Sequence, residues 1–131
     1  MSLLLLIIWT LAGVAEAVQD VLAFHWSTSF FSRYPVGSFF GSPLATAGTW
    51  LRKYKRQDPH NGPAFWGSTT LLVSLTDAWH LAQLLSRRLP LAVTLAVLAF
   101  GCPVPWYVGL FCVVLNLSAF NAVYYATRHA G

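Results

Sequence analysis

Four stretches of the chain are predominantly apolar, and one long connection separates the first from the second. The stretches cover residues 3–24, 66–85, 89–101 and 106–127. A helix that crosses a bilayer needs about 20 predominantly apolar residues, a length that three of the stretches reach. The stretch 89–101 is shorter, so it forms either a short span or a re-entrant segment. The pattern predicts an all-α polytopic membrane protein, as a four-helix bundle or as three helices with a re-entrant segment.

The connection over residues 26–65 has a different pattern. Pro35, Pro43, Pro59 and Pro63 interrupt it, so no continuous span can form there. Its many Phe, Tyr and Trp residues argue against disorder, because disordered segments are poor in aromatic residues. We therefore expect an ordered interfacial loop with a short amphipathic helix over residues 44–54, anchored at headgroup level by aromatic side chains.

Composition agrees with an integral membrane protein that forms a single domain over residues 1–131. Hydrophobic residues make up 56% of the chain and charged residues only 9%. A soluble domain carries about 25% charged residues, so a deficit of this size excludes an ordinary soluble protein. The length is that of one domain.

Basic residues predict the orientation of the chain in its membrane. The net charge is +4, and five of the eight Lys and Arg residues are Arg33, Arg52, Lys53, Lys55 and Arg56. Since loops rich in Lys and Arg stay on the cytoplasmic side of a membrane, we expect the loop 26–65 in the cytoplasm and the N-terminus outside. Four spans would put the C-terminus outside as well, and would leave Arg87 and Arg88 in an external loop, which conflicts with the same rule. Basic residues beside a membrane also attract anionic headgroups, so we expect membrane lipids as partners and no nucleic acid.

The chain predicts neither a cleaved leader nor a disulfide framework. Residues 3–11 resemble the core of a signal peptide, but no Lys or Arg precedes them. We therefore expect an uncleaved first span. The two cysteines, Cys102 and Cys112, lie in apolar sequence and are expected to be small buried residues.

Five acidic or histidine residues lie within or beside the first two apolar stretches. They are Glu16, Asp20 and His25 at the end of the first stretch, and Asp77 and His80 in the middle of the second. An ionisable residue at bilayer depth is a functional-site hypothesis by default, because burying its charge costs free energy. If the first two stretches are antiparallel neighbours, their polar residues can meet, with Asp77 closer in depth to Glu16 than to Asp20.

Three kinds of chemistry suit this cluster, and the residues leave the choice open. Hydrogen bonds within the cluster can fix the register of a helix bundle. In an enzyme, the same five residues are the candidate catalytic groups, as general acid and base or as ligands of a divalent metal. Asp77 and His80 form the best candidate metal pair, although no strong metal signature is present and the cofactor stays unknown. Acidic residues and histidines also build proton or ion pathways.

A second candidate site lies where the loop meets the second stretch. Backbone N–H groups and hydroxyls at the start of a helix bind phosphates. A run of basic residues precedes the expected helix start of the second stretch. The candidate lipid- or phosphate-binding residues are Arg52, Lys53, Lys55, Arg56, Ser68, Thr69 and Thr70. Ordinary helix capping and topology-setting charge explain the same residues without a ligand.

Several short motifs carry a resemblance to a known group of proteins. They are Phe24-His25, Trp50-Leu51-Arg52-Lys53-Tyr54-Lys55, Asp58-Pro59, Gly67-Ser68-Thr69-Thr70 and Thr76-Asp77-Ala78-Trp79-His80. The segment from Asp20 to His80 resembles a family of small uncharacterised bacterial integral-membrane proteins. That family has no assigned activity, so the resemblance implies only a bacterial inner-membrane location.

The sequence favours a non-catalytic role. We expect a small integral membrane subunit or scaffold that packs in the bilayer with another membrane protein or with itself, because no catalytic motif stands out. The alternative is a membrane hydrolase or transferase that acts on a lipid or a lipid-linked phosphate, through a metal or through acid–base chemistry. A proton or ion pathway is the second alternative.

Overall fold

The computed structural model describes residues 2–44 and 49–128, and its regular elements are helices. The principal helices are α1 (Ser2–Phe24), α2 (Ala78–Gln83), α3 (Leu89–Ala99) and α4 (Trp106–Arg128). A π-helix over Leu84–Arg88 joins α2 to α3 without a break. Three helical segments are long and apolar enough to cross a membrane: Ser2–Phe24, Ala78–Ala99 and Trp106–Arg128. The chain is thus an all-helical, multi-pass membrane protein.

The predicted number of spans needs correction. The stretches 66–85 and 89–101 were expected to form two spans or a span and a re-entrant segment. The structure instead forms one candidate span, Ala78–Ala99. This span combines the end of the stretch 66–85 with most of the stretch 89–101. The fourth span is not confirmed, because Arg87 and Arg88 lie inside a continuous helix and do not end one.

Pro90 accounts for the irregular middle of this span. Proline has no N–H to donate to the carbonyl four residues back, and its ring crowds that carbonyl. The preceding turn widens into the π-helix Leu84–Arg88, and the α-helix resumes at Leu89. Wider turns of this kind are frequent at functional sites, because they redirect the side chains that they carry. The side chains of this π-helix include those of Arg87 and Arg88.

The start of α2 also differs from the prediction. Residues 66–77 form turns and a short 3₁₀-helix, Val73–Leu75, so Asp77 stands at the helix start and not in the middle of a span. Asp77 has an extended backbone and its carboxylate accepts a hydrogen bond from the backbone N–H of His80. Asp is a preferred residue at this capping position. Because Ala78 packs with Val21 and Leu22, Asp77 lies level with the end of α1 and not with Glu16.

The pair α1 and α4 is the main packing unit. Leu5 of α1 packs with Val108 and Cys112 near the start of α4, and His25, just past α1, contacts Tyr124 near the end of α4. The two helices therefore run parallel. At their midpoint Gly13 lies against the backbone of Asn116, where a Cβ would overlap the Asn116 carbonyl oxygen. A small residue at a membrane helix interface permits this close approach.

The segment Ala78–Ala99 runs antiparallel to α1. Ser86 donates to the side chain of Gln19 (3.4 Å), and the Trp9 indole N–H donates to Thr94 (3.4 Å). A turn over residues 100–105 then leads to α4. Gly101 has a φ of 64°, the left-handed conformation that commonly follows a helix end. The first and last helices thus end beside the long loop, and the turn 100–105 lies at the opposite end.

The long loop is ordered where the structure describes it. It consists of turns and short 3₁₀-helices, among them Trp26–Thr28, Phe30–Arg33, Thr49–Lys53, Lys55–Gln57 and Pro59–Asn61. The expected helix over residues 44–54 lies partly outside the described residues, and its described part is the 3₁₀-helix Thr49–Lys53. Trp50 and Tyr54 make an edge-to-face contact there. Phe31 of the loop packs against the buried Val21 and Leu22, which holds the loop on the helix ends.

Candidate functional site

A cleft of about 720 Å³ opens between α1, the segment that begins with α2, and the long loop. Its lining residues are Glu16, Gln19, Asp20, Ala23, Phe24, Pro43, Leu44, Trp50, Trp79, His80, Gln83, Arg87 and Phe120. The volume lies within the range of about 300–1,000 Å³ that is typical of small-molecule sites. We call this space the loop-end cleft.

Charged groups of both signs line the loop-end cleft. Glu16 and Asp20 come from one face of α1, and Arg87 comes from the π-helix. The contact of Ser86 with Gln19 places the π-helix beside the part of α1 that lies between the two carboxylates. Throughout residues 2–44 and 49–128, the single ion pair is that of Asp77 with His80. Glu16, Asp20 and Arg87 therefore line one cleft without an ion pair among them.

Asp77 and His80 form a hydrogen-bonded pair at the edge of the cleft. The Asp77 carboxylate is buried and accepts three hydrogen bonds: from the backbone N–H of His80 (2.9 Å), from His80 Nδ1 (2.7 Å) and from the Thr76 hydroxyl (3.1 Å). The two residues that the sequence offered as a candidate metal pair are thus hydrogen-bonded to each other, at a helix start. The geometry fixes the His80 ring with Nδ1 toward Asp77.

The hydrogen bonds decide the charge of Asp77. Burial by itself would raise the pKa of Asp77, but the hydrogen bonds from the His80 side chain and backbone and from Thr76, with the nearby imidazole, together hold its pKa below the usual value. The carboxylate is therefore ionised near neutral pH and acts as an acceptor. His80 Nδ1 must then carry the proton of the 2.7 Å contact, which leaves Nε2 free to interact elsewhere.

His80 also lines a second, smaller pocket. This pocket has a volume of about 310 Å³, and its lining residues are Thr69, Thr70, Leu71, Val73, Ser74, His80, Gln83, Leu84 and Arg88. His80 and Gln83 are the residues shared with the loop-end cleft. The π-helix thus directs Arg87 to one pocket and the adjacent Arg88 to the other.

His25 does not pair with Asp20, although both were candidates for one polar cluster at the end of the first apolar stretch. Its Nε2 instead lies 2.8 Å from the Tyr124 hydroxyl of α4. That hydroxyl also accepts a hydrogen bond from Arg128 (3.1 Å), so His25, Tyr124 and Arg128 form one cluster. The physical reason is that His25 lies past the end of α1, where the chain has left the helical face of Asp20. The two histidines belong to separate clusters.

The candidate phosphate-binding residues do not form one site. Arg52 donates to the carbonyls of Thr76 (2.9 Å) and Gly37 (3.2 Å), and so braces the loop against the start of α2. Ser68 is buried and donates to the Lys53 carbonyl (2.7 Å). The Lys53 ammonium lies over the rings of Trp50 and Tyr54.

The remaining candidates are dispersed. Lys55 and Arg56 are exposed on a turn, while Thr69 and Thr70 line the smaller pocket. The turns that replace the first half of the predicted second span separate these residues, because no helix start follows Ser68 directly.

The candidate metal ligands bind each other. Asp77 Oδ2 and His80 Nδ1, the atoms that face one another, share a proton in the 2.7 Å hydrogen bond. No group of three or more His, Cys, Asp or Glu residues with metal-binding geometry occurs within the described ranges. The donor set of a divalent metal site, about four ligands for zinc, is therefore not assembled by the described residues around this pair.

Sequence reasoning missed several residues of the cleft. Arg87 was taken as the end of a helix, and Trp79, Gln83 and Phe120 were not singled out. One signal could have found the correct helix start: Thr76-Asp77 precedes an apolar run, which is typical of a helix N-terminus. Placing the start at Ala78 puts Gln83 and Arg87, four residues apart, on one face of that helix.

In comparisons with known proteins, no family model matches this chain, no curated protein is similar to it, and no solved structure matches it.

Proposed function

We propose that this protein is a small integral membrane subunit that binds a bilayer amphiphile in the loop-end cleft. The observation that carries the proposal is the composition of the cleft wall. Charged and amide side chains from α1, α2 and the π-helix line the cleft together with aromatic rings such as Trp50, Trp79 and Phe120. A molecule with both a polar group and an apolar chain matches such a wall. Its polar group can bind the charged and amide side chains, and its apolar chain can pack against the aromatic rings.

The position of the cleft supports an amphiphile over a fully water-soluble ligand. Glu16 lies eight residues before the end of α1, about 12 Å along the helix axis at 1.5 Å per residue. Charged side chains at that depth are costly in lipid, and a polar headgroup or water must solvate them. The cleft provides the space for such a group beside the acyl chains.

We propose the orientation in which the long loop faces the bacterial cytoplasm. Every Lys and Arg of the chain lies in the loop, in the adjacent halves of the spans or at residue 128. Three spans bring Arg128 to the loop side and put Arg87 and Arg88 in the loop-side half, so the earlier conflict with the positive-inside rule disappears. The N-terminus and the turn 100–105 are then external.

Labelling of single introduced cysteines tests this orientation. In a background with Cys102 and Cys112 replaced by Ala, a cysteine at Gln57 should resist an impermeant reagent in intact cells and one at Ser2 should react. The reverse pattern would refute the orientation, and labelling of both positions would refute an odd number of spans between them.

The outer face of α4 supports a subunit role. Ser118, Asn121 and Tyr125 share this face, and all three are exposed. The Asn121 amide donates to the Leu117 carbonyl (2.9 Å) but has further hydrogen-bonding capacity. Polar residues of this kind join helices in membranes, so we propose that another membrane protein or a second copy packs here. If Asn121→Leu leaves every complex intact on native gels, this contact is refuted.

One specific observation supports the alternative that the protein is an enzyme. The Asp77–His80 pair orients an imidazole whose free nitrogen belongs to a cleft-lining residue, as a general base requires. However, among the residues that the structure describes, those that line the loop-end cleft include no Ser, Thr, Cys or Lys. A hydrolase here would need water as its nucleophile, activated by His80. Binding is therefore the function that the cleft favours.

Filling the cleft tests the proposal. Ala23 lines the cleft, so Ala23→Trp should expel an amphiphile and lower the number of lipids retained per protomer in native mass spectrometry. Ala96→Trp is the matched control, because Ala96 is exposed on α3 and lines none of the described pockets. Equal lipid retention by the two variants would overturn cleft binding.

A further inference from the structure

Three charged side chains of the loop-end cleft have no ionic partner among the residues that the structure describes. Glu16, Asp20 and Arg87 all line the cleft. Among residues 2–44 and 49–128 none of the three side chains takes part in an ion pair or a hydrogen bond. This contrasts with Asp77, whose carboxylate accepts three hydrogen bonds a short distance away.

Unpaired charges in a membrane span call for compensation. An isolated charge taken out of water costs several kcal/mol, roughly, unless an opposite charge or hydrogen bonds replace the lost hydration. A purely anionic ligand would satisfy Arg87 but would leave the two carboxylates beside another negative charge. A purely cationic ligand would leave Arg87 uncompensated. A ligand that carries both signs satisfies all three.

The arrangement of the cleft orients such a ligand. Arg87 and His80 come from the same helical segment and line one side, where the guanidinium can donate to phosphate oxygens. Glu16 and Asp20 are four residues apart on α1 and form the facing side. The Ser86–Gln19 contact holds the two sides close together, so one small headgroup can reach both.

We propose that the cleft selects an amphiphile whose headgroup carries both a phosphate and a primary ammonium, with the phosphate at Arg87 and the ammonium at Glu16 and Asp20. This inference rests on the proposed binding of a bilayer amphiphile. It adds the chemical class of the headgroup. A primary ammonium has three N–H donors for the carboxylates, whereas a quaternary ammonium has none and relies on aromatic faces.

Headgroup selectivity of the full chain in a non-ionic detergent tests the proposal. The probes are dihexanoyl lipids with phosphoethanolamine, phosphocholine or phosphoglycerol headgroups, measured by isothermal titration calorimetry below their micellar concentrations. We expect the phosphoethanolamine lipid to bind at least tenfold more tightly than the phosphoglycerol lipid, and more tightly than the phosphocholine lipid. Equal affinity for phosphoethanolamine and phosphoglycerol lipids overturns the two-charge site. Equal affinity for phosphoethanolamine and phosphocholine lipids overturns the role of the N–H donors.

Variants assign the two ends of the headgroup. Arg87→Gln should weaken all three lipids at least tenfold, and Arg87→Lys should weaken them less. The matched control is Arg88→Gln, since Arg88 lines the smaller pocket and should leave the affinities unchanged. The double variant E16Q/D20N should abolish the preference for phosphoethanolamine over phosphoglycerol, while Asp58→Asn, outside the cleft, should not. An equal loss in Arg87→Gln and Arg88→Gln overturns the phosphate assignment, and a retained preference in the double variant overturns the ammonium assignment.

The outcomes separate the headgroup inference from the proposed function. Tight binding of all three lipids that Ala23→Trp removes would leave the amphiphile site intact and overturn the headgroup class. Binding of free phosphoethanolamine as tight as that of its lipid would support the headgroup chemistry and overturn the need for an acyl chain. Failure of every lipid to bind would overturn both.

Discussion

The two ends of the helix bundle differ in what holds them together. At the end that carries the N-terminus and the turn 100–105, packing is apolar: Leu5, Val97, Val108 and Cys112 form the core. At the loop end, a second apolar cluster around Val21 and Leu22 coexists with the Asp77–His80 pair and the loop-end cleft. All Asp, Glu, Lys and Arg residues lie from Glu16 to Arg88 or at Arg128, none of them in the apolar end.

This difference indicates which end of the bundle can carry a functional site. A charge near the bilayer centre costs free energy, whereas near an interface water, loops and headgroups can solvate it. The loop end satisfies Asp77 with three hydrogen bonds but leaves other charges facing a cleft. The apolar end has no such groups, and it serves to insert the helices and align them.

Removing the Asp77 carboxylate should have the largest effect on the loop end. Asp77→Ala deletes a helix cap and leaves His80 Nδ1 without its acceptor, at a cost of about 2–4 kcal/mol. The Thr76 hydroxyl keeps its hydrogen bond to the Val73 carbonyl (2.7 Å). Asp77→Asn should cost less, because an amide oxygen can still accept from the His80 N–H. The measurement is the free energy of unfolding in detergent.

A second aspartate provides the control for this experiment. Asp58 also caps a short helix, accepting from the backbone N–H of His60 (2.9 Å), but in an exposed turn. Asp58→Ala should cost below about 1 kcal/mol, since water replaces the lost acceptor. Similar losses in Asp77→Ala and Asp58→Ala would show that burial at the loop end adds nothing to the cap.

Crowding the contact between α1 and α4 should come next in size. The Cβ of Gly13→Ala would overlap the Asn116 carbonyl oxygen, so the helices must separate, at a cost of about 1–3 kcal/mol. Gly109 is the matched position in the apolar end, because a Cβ there meets nothing within 4 Å. Gly109→Ala should be neutral or slightly stabilising, since alanine favours a helix. Thermal unfolding of both variants in detergent makes the comparison, and a stable Gly13→Ala variant would contradict the close approach.

Weakening the brace between the loop and α2 should cost about 1–2 kcal/mol. Arg52 donates to the carbonyls of Thr76 and Gly37, and lysine cannot reproduce that fork of N–H groups. Arg52→Lys should therefore lower stability and make the loop more sensitive to limited proteolysis. Arg56→Lys, on an exposed turn, should change neither. Unaltered proteolysis of Arg52→Lys would mean that the loop does not depend on this brace.

Acidification should produce the smallest and most gradual effect. The pKa of Asp77 is lowered in the folded protein, so the unfolded chain takes up the proton first as the pH falls. The stabilisation is complete above the ordinary carboxyl pKa and is lost as the pH falls through the lower, folded value. The thermal midpoint of the wild type should thus decrease in acid more than that of Asp77→Asn. Parallel pH profiles of the two proteins would assign the acid sensitivity to other groups.

Hydrophobic pattern alone predicted much of the fold. The first and last spans, 3–24 and 106–127, correspond closely to Ser2–Phe24 and Trp106–Arg128. Long apolar runs leave few alternatives to a helix in a bilayer, because every backbone group must be hydrogen-bonded within the segment. The spacing of Asp77 and His80 also marked them as neighbours, although their hydrogen bond at a helix start was not predicted.

The middle of the chain needed the tertiary structure. The pattern over residues 66–101 is compatible with two spans or with one. The sequence pattern placed Arg87 and Arg88 in a loop between two spans. Only packing against α1 shows that Asp77 begins a helix that continues through a π-helix to Ala99.

The sequence determined that this chain is an all-helical membrane protein with its charges in one half, since hydrophobicity and charge act residue by residue. Tertiary structure decided which charges meet. It placed Arg87 in one cleft with Glu16 and Asp20, brought His25 into contact with Tyr124, and attached the loop to α2 through the hydrogen bonds of Arg52. Those arrangements depend on helix register and crossing, which arise from contacts between residues far apart in the sequence, and no local pattern specifies them.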